Sequence, residues 1–140
     1  MSTRGLLDTG PLVAFLDRND HHHLWAKQAL SRFSTPLSTC EAVVSEAWHL
    51  MGRARGGRAA LLGVLEAGHL RVASTLEREA PRTYRLMAKY SDQPMSVAGA
   101  CLVRMAEADP RALLITLDRD FLVYRPGRGR LRLVAPFVRD

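Results

Sequence analysis

Three acidic residues, Asp8, Glu46 and Asp118, stand where a small domain could put them to chemical use. Asp8 follows the apolar pair Leu6-Leu7 and runs into Thr9-Gly10-Pro11. Asp118 follows Leu113-Leu114-Ile115 through Thr116-Leu117. Glu46 lies among Val43, Ala47 and Leu50, on what reads as the inward side of an apolar helix. A charge buried alone is costly, so such a carboxylate wants a partner, and a shared cation would serve all three. Carboxylate oxygens with a few waters are the ligands that Mg²⁺ and Mn²⁺ prefer. An ion so held lowers the pKa of bound water and polarises a phosphodiester, and two ions can clamp the attacking and leaving oxygens. No cysteine or serine nucleophile is then needed. Each acid also has a plainer reading. Asp8 and Asp118 suit helix caps, and Glu46 suits a solvated stripe edge.

The elements that must position these residues alternate in type. Leu6-Leu7 reads as a short buried strand, and Pro11 suits the first turn of a helix over 11–16. A second helix starts near His22, with Trp25, Ala29, Leu30 and Phe33 as its apolar stripe. Residues 36–38 read as a strand. Helices over about 41–51 and 58–66 follow, separated by Gly52 and Gly56-Gly57. Residues 69–73 read as a strand, 77–89 and 95–108 as helices, 113–115 as the clearest buried strand, 118–123 as a short helix and 131–134 as a last strand. Alternation of this kind predicts an α/β domain with a mainly parallel central sheet. In open sheets of that class, function gathers at the carboxyl ends of the strands, which points to Asp8 and Asp118.

The 140 residues suit one domain spanning 1–140, with no repeat or linker. Hydrophobic residues make up 47% and charged residues 24%, as in soluble globular chains. No apolar run approaches the roughly 18 residues of a membrane span, and the N-terminus shows no signal peptide, so a cytoplasmic location and no membrane partner are expected. Cys40 and Cys101 lack zinc-site spacing and read as core residues. The net charge is +6 and only Lys27 and Lys89 among the cations are lysine. An arginine-rich basic surface attracts nucleic acid and suits bidentate phosphate contact.

The motifs together resemble the PIN domain, in particular the toxin ribonucleases of VapBC toxin–antitoxin pairs. The likeness runs from Leu7-Asp8-Thr9-Gly10-Pro11-Leu12-Val13-Ala14 through Ser45-Glu46-Ala47 and Tyr90-Ser91-Asp92-Gln93-Pro94-Met95-Ser96-Val97-Ala98 to Ile115-Thr116-Leu117-Asp118-Arg119-Asp120-Phe121. Val123-Tyr124-Arg125 fits as well. The resemblance implies a three-layer α/β/α fold, a Mg²⁺ or Mn²⁺ site, RNA as substrate, a homodimer and a cognate antitoxin. It makes Asp8, Glu46 and Asp118 catalytic metal ligands and Asp120 a second-rank acid. It places Thr9 and Thr116 beside them, toward the RNA.

One position departs from the pattern. Where the family carries an acid after Pro-Met-Ser-hydrophobic-Ala, this chain has Gly99. Glycine in a helix interior costs about 1 kcal/mol relative to alanine, so Gly99 brings no local advantage. Two function classes follow: a metal-dependent endoribonuclease impaired at Gly99, or a catalytically inactive PIN module that binds RNA or an antitoxin. An aspartyl-phosphate fold ranks below both. Asp8-Thr9-Gly10 lacks an acid two residues on, and no lysine follows Ile115-Thr116.

Other features carry less. His21-His22-His23 cannot share one helix face, so they cannot hold one ion. Trp25, Trp48 and Phe121 suit packing more than base stacking. Residues 12–16 and 95–108 are apolar enough to suggest a partner surface. Two arginine clusters, Arg53-Arg55-Arg58 and Arg125-Arg128-Arg130, are either solvated loops or cationic rims that draw a polyanion toward the acids. Arg125, Arg128 and Arg130 are the candidate RNA contacts.

Overall fold

The structure is a computed structural model that describes residues 4–126 and 129–139. Five strands carry the expected alternation: β1 (Gly5–Leu7), β2 (Leu37–Cys40), β3 (Leu70–Ser74), β4 (Leu113–Ile115) and β5 (Leu133–Val134). Between them run α1 (Thr9–Leu16), α2 (His23–Ser31), α3 (Glu41–Met51), α4 (Gly57–Glu66), α5 (Leu76–Lys89) and α6 (Val97–Ala108). A short 3-10 turn, Arg119–Leu122, follows β4.

The sheet order is β3-β2-β1-β4-β5, and every pair is parallel. The chain steps outward from β1 to β2 to β3, then returns to the other side of β1 for β4 and β5. Parallel neighbours need crossover helices, and right-handed crossovers put the two sets on opposite faces. Accordingly α1 packs with α2, α3 and α4, while α6 lies with α5 and crosses β2, β1 and β4. The core sits between these layers. Leu6, Leu7, Leu114 and Ile115 supply it from the sheet, Leu12 and Val13 from α1, and Leu102 and Val103 from α6.

Several element ends move for identifiable reasons. α1 starts at Thr9, two residues before Pro11, because the Asp8 carboxylate accepts the Thr9 N–H. α6 starts at Val97 because Ser96 caps it through the Gly99 N–H. Cys40 ends β2 and caps α3 instead of lying within a helix; both cysteines are buried and unbridged. The apolar residues of α1 and α6 that suggested a partner surface mostly fill the chain's own core, leaving Phe15 and Val97 exposed. Trp48 is also exposed and stacks under Arg58 instead of packing inside. Among the described residues, no helix is long and apolar enough to cross a membrane.

Candidate active site

The strand order reverses between β1 and β4. Crevices at such switch points, beyond the carboxyl ends of the strands, are where open α/β sheets bind ligands. Here the edge is pinned by residues just past the strands. The Asp8 N–H donates to the Ile115 carbonyl (3.1 Å) and the Thr116 N–H to the Val134 carbonyl (3.0 Å). Thr39 Oγ1 donates to the Leu7 carbonyl at 2.7 Å.

Asp8 is buried and held from two sides. One carboxylate oxygen accepts the Thr9 N–H at 2.8 Å, and the other accepts the Thr116 hydroxyl at 2.7 Å. The helix-cap reading of Asp8 is therefore met. A carboxylate has about four acceptor sites, so two remain for another partner. Burial pushes the Asp8 carboxyl above the ordinary carboxylate range. The Thr116 and Thr9 donors oppose that rise, and the charges of Asp118 and Glu46 add to it. Among the described residues none of these three acids forms an ion pair, although Arg119 also lines the cleft described below.

Thr116 is fully buried. Its oxygen, besides donating to Asp8, accepts the Asp118 N–H at 3.0 Å. Both interactions are spent inside the protein, so Thr116 orients the acids and does not face the cleft. Thr9 is also buried, but its Oγ1 has no hydrogen-bond partner. Asp118 caps the 3-10 turn by accepting the Asp120 N–H at 2.9 Å. Asp118 and Asp120 are both exposed.

A cleft of about 750 Å³ gathers these groups. Asp8, Thr9, Glu46, Asp118 and Asp120 line it, and so does Gly99. Glu46 is exposed on the cleft wall, not buried as the apolar spacing suggested: Val43 and Ala47 face the core and Glu46 flanks them. Asp92 is exposed in the loop before α6 and is not among the lining residues. Among the described residues, no three acids, histidines or cysteines gather tightly enough to hold an ion as they lie.

In kind, these groups fit a hard divalent cation: the donors are oxygens, one carboxylate is rigidly aimed, and a buried hydroxyl is left without a partner. On the α6 side Gly99 lines the cleft and brings no side-chain donor. A Cβ at Gly99 would meet Ser96 Oγ at 3.3 Å and Phe121 Cζ at 3.8 Å, so a side chain there needs Ser96 to give by a few tenths of an ångström.

Sequence reasoning named the acids but not the wall opposite them. Ser96, Tyr124 and Phe121 complete the cleft. The rings of Phe121 and Tyr124 meet edge to face at 5.7 Å, and those of Tyr124 and Tyr90 at 5.1 Å. Burial, followed by the charges of Asp120 and Asp118, pushes the Tyr124 phenol up, so it stays protonated beside the acids.

The candidate RNA contacts separate. Arg125 is exposed and lines a groove next to α5, while Arg130 lines another with Arg104 and Arg132. Arg128 lies outside the described residues. In the histidine run, His23 Nδ1 lies 2.7 Å from the Ala14 carbonyl.

The chain is similar to proteins already known. The chain is 29% identical over 133 residues to ribonuclease VapC26 of Mycobacterium tuberculosis, covering 92% of this chain and 98% of that protein. Its fold is similar to the crystal structure of Mycobacterium tuberculosis VapC20, a sarcin-ricin-loop-cleaving toxin. That match has a TM-score of 0.73 and 17% identity, over 83% of this chain and 91% of the other. The PIN domain model itself matches residues 5–125, from the first residue of β1 past the acids of the 3-10 turn, and the chain therefore belongs to the PIN domain family.

Proposed function

We propose that this chain is a divalent-metal-dependent endoribonuclease, the toxin of a type II toxin–antitoxin pair, with a metal centre weakened at Gly99. The carrying observation is the placement of Asp8. It sits at the β1–β4 switch point, fixed by Thr9 and Thr116, on a cleft that also carries Glu46, Asp118 and Asp120. The likeness to VapC26 supports RNA as the substrate class.

Asp8, Glu46 and Asp118 would hold Mg²⁺ or Mn²⁺, with Asp120 behind them. A divalent cation, when bound, supplies Lewis acidity and positive charge against a phosphodiester. Thr116 keeps Asp8 aimed and ties Asp118 to it. Thr9 offers its unpartnered hydroxyl to the ligand. The surrounding arginines offset the repulsion between a polyanion and the acids. As in the VapBC pairs that the chain resembles, a cognate antitoxin would cover the cleft and the working unit would be a homodimer.

The test is cleavage of single-stranded and hairpin RNA by the purified chain in Mn²⁺, Mg²⁺ and EDTA, beside Asp8→Asn. Slow cleavage that needs the metal and Asp8 is expected. Cleavage equal in the chain and in Asp8→Asn overturns the reading. The second reading, an inactive PIN module that binds RNA or an antitoxin, is supported by one observation: Gly99 lines the cleft from α6 without a side-chain donor. It predicts RNA binding with no cleavage at any metal concentration, and cleavage restored by Gly99→Asp.

A further inference from the structure

Away from the cleft, α5 carries a second concentration of charge. Arg78, Arg82, Arg85 and Lys89 recur at steps of four, three and four residues. With about 3.6 residues per turn, all four fall within about 60° on one flank of the helix. All are exposed, and the buried Thr83 and Leu86 lie on a different flank. Like charges at these spacings oppose helix formation, and only Arg82 among the four has an ion pair among the described residues.

Arg82, Arg85 and Lys89 line a groove of about 270 Å³ with Arg104, Glu107 and Arg125. Two of these cations are balanced. Arg104 reaches Glu79 at 3.0 Å and Glu107 at 2.9 Å, and Arg82 approaches Glu79 at 3.5 Å. Among the described residues, Arg85 and Lys89 form no ion pair, although the Lys89 ammonium stands 5.4 Å from the Tyr90 ring.

The groove and the cleft are joined through sequence neighbours: Arg125 lines the groove and Tyr124 the cleft. The Arg125 N–H donates to the Tyr90 hydroxyl at 2.7 Å, which ties the end of α5 to the segment after the 3-10 turn. Tyr90 packs on Tyr124, and Tyr124 on Phe121; the last two line the cleft. A run of exposed cations therefore leads, through Arg125 and an aromatic wall, to the acids.

We propose that the α5 stripe and Arg125 form the track along which the RNA phosphate backbone lies on its way into the cleft. The inference rests on reading the cleft as a ribonuclease site. Cations that follow a backbone hold it through its phosphates without reading its sequence. The stripe also explains how a polyanion stays bound beside the carboxylates of the cleft.

The experiment measures binding of fluorescein-labelled oligouridine and of a labelled RNA hairpin to the full chain in EDTA, across a range of KCl concentrations. The variant Arg85→Gln/Lys89→Gln removes two charges from the track. Arg18→Gln/Lys27→Gln removes two from the α1–α2 side and controls for net charge. Each phosphate contact contributes about 0.7 to the slope of log K against log salt for a single strand, so the track variant should flatten the oligouridine slope by about 1.4. The control should retain the full slope. A track that holds phosphates flattens the hairpin slope as well; a hairpin slope unchanged in the track variant overturns it. Equal slopes in the chain and the track variant, equal flattening in both variants, or no RNA binding by the chain overturn the track. Cleavage is scored separately in Mn²⁺. A chain that binds through the stripe yet cleaves nothing overturns the nuclease reading alone. A chain that cleaves while its slopes ignore the stripe overturns the track alone.

Discussion

Thr116 Oγ1 donates to the Asp8 carboxylate at 2.7 Å across 108 residues of sequence and accepts the Asp118 N–H at 3.0 Å. One hydroxyl thus couples β1 to β4 and sets both acids. Thr116→Val keeps the shape and removes both interactions. A buried acceptor left without its donor costs about 1–3 kcal/mol, which urea unfolding should register. Groups that orient a ligand typically change metal affinity about 10–100-fold, so Mn²⁺ binding should weaken by that order. A variant as stable and as tight for Mn²⁺ as the parent would remove Thr116 from the site.

Asp8 sets a pH dependence. Burial places its folded pKa above its unfolded value of about 3.9. The folded chain therefore retains a proton that the unfolded chain releases. That contribution is fully present below the unfolded pKa and is lost as pH rises through the folded pKa. Asp8→Asn keeps an uncharged group at all pH values. In EDTA it should melt higher than the parent at neutral pH, and the gap should close as pH falls toward 4. Thermal melts with equal gaps at every pH would contradict this.

Gly99 separates electrostatics from helix propensity. Its N–H is held by Ser96 Oγ at 2.9 Å, so it is the third residue of α6, and a side chain there opens onto the cleft. Gly99→Ala should change stability by less than about 1 kcal/mol, because the propensity gain is opposed by the 3.3 Å approach to Ser96 Oγ, and should leave metal affinity unchanged. Gly99→Asp should show a larger rise in melting temperature on addition of Mn²⁺ than either the parent or Gly99→Ala, together with faster RNA cleavage. Equal Mn²⁺-induced shifts in Ala and Asp would mean that the missing acid is not what limits the site.

Arg104 clamps α6 to α5 through Glu79, with Glu107 beside it, and its side chain is only 19% exposed. Arg104→Met should cost about 1–3 kcal/mol, because two carboxylates lose their charged donor. Denaturation of the variant at low and high salt checks this. A cost below about 0.5 kcal/mol at low salt would show that the clamp contributes little.

The sequence already located the acids because short apolar strands ending in Asp8 and before Asp118 obey a rule about strand ends. The strand order, and with it the meeting of Thr116 and Asp8, depends on pairings over more than a hundred residues, which local pattern does not encode. Glu46 was misplaced for a related reason. Apolar neighbours at Val43, Ala47 and Leu50 suggested a buried face, but Leu50 is exposed and lines the cleft with Glu46. The Tyr90–Tyr124 contact joins α5 to the chain after β4, and no spacing announces it. Gly99, by contrast, was legible from sequence alone, because a motif shows its gaps as clearly as its members.

The most direct test of the account is a calorimetric titration of Mn²⁺ into the chain, Asp8→Asn and Gly99→Asp at neutral pH. Weak binding by the chain, none by Asp8→Asn and tighter binding by Gly99→Asp are the predicted result. Binding that survives Asp8→Asn undiminished would contradict a metal centre built on Asp8.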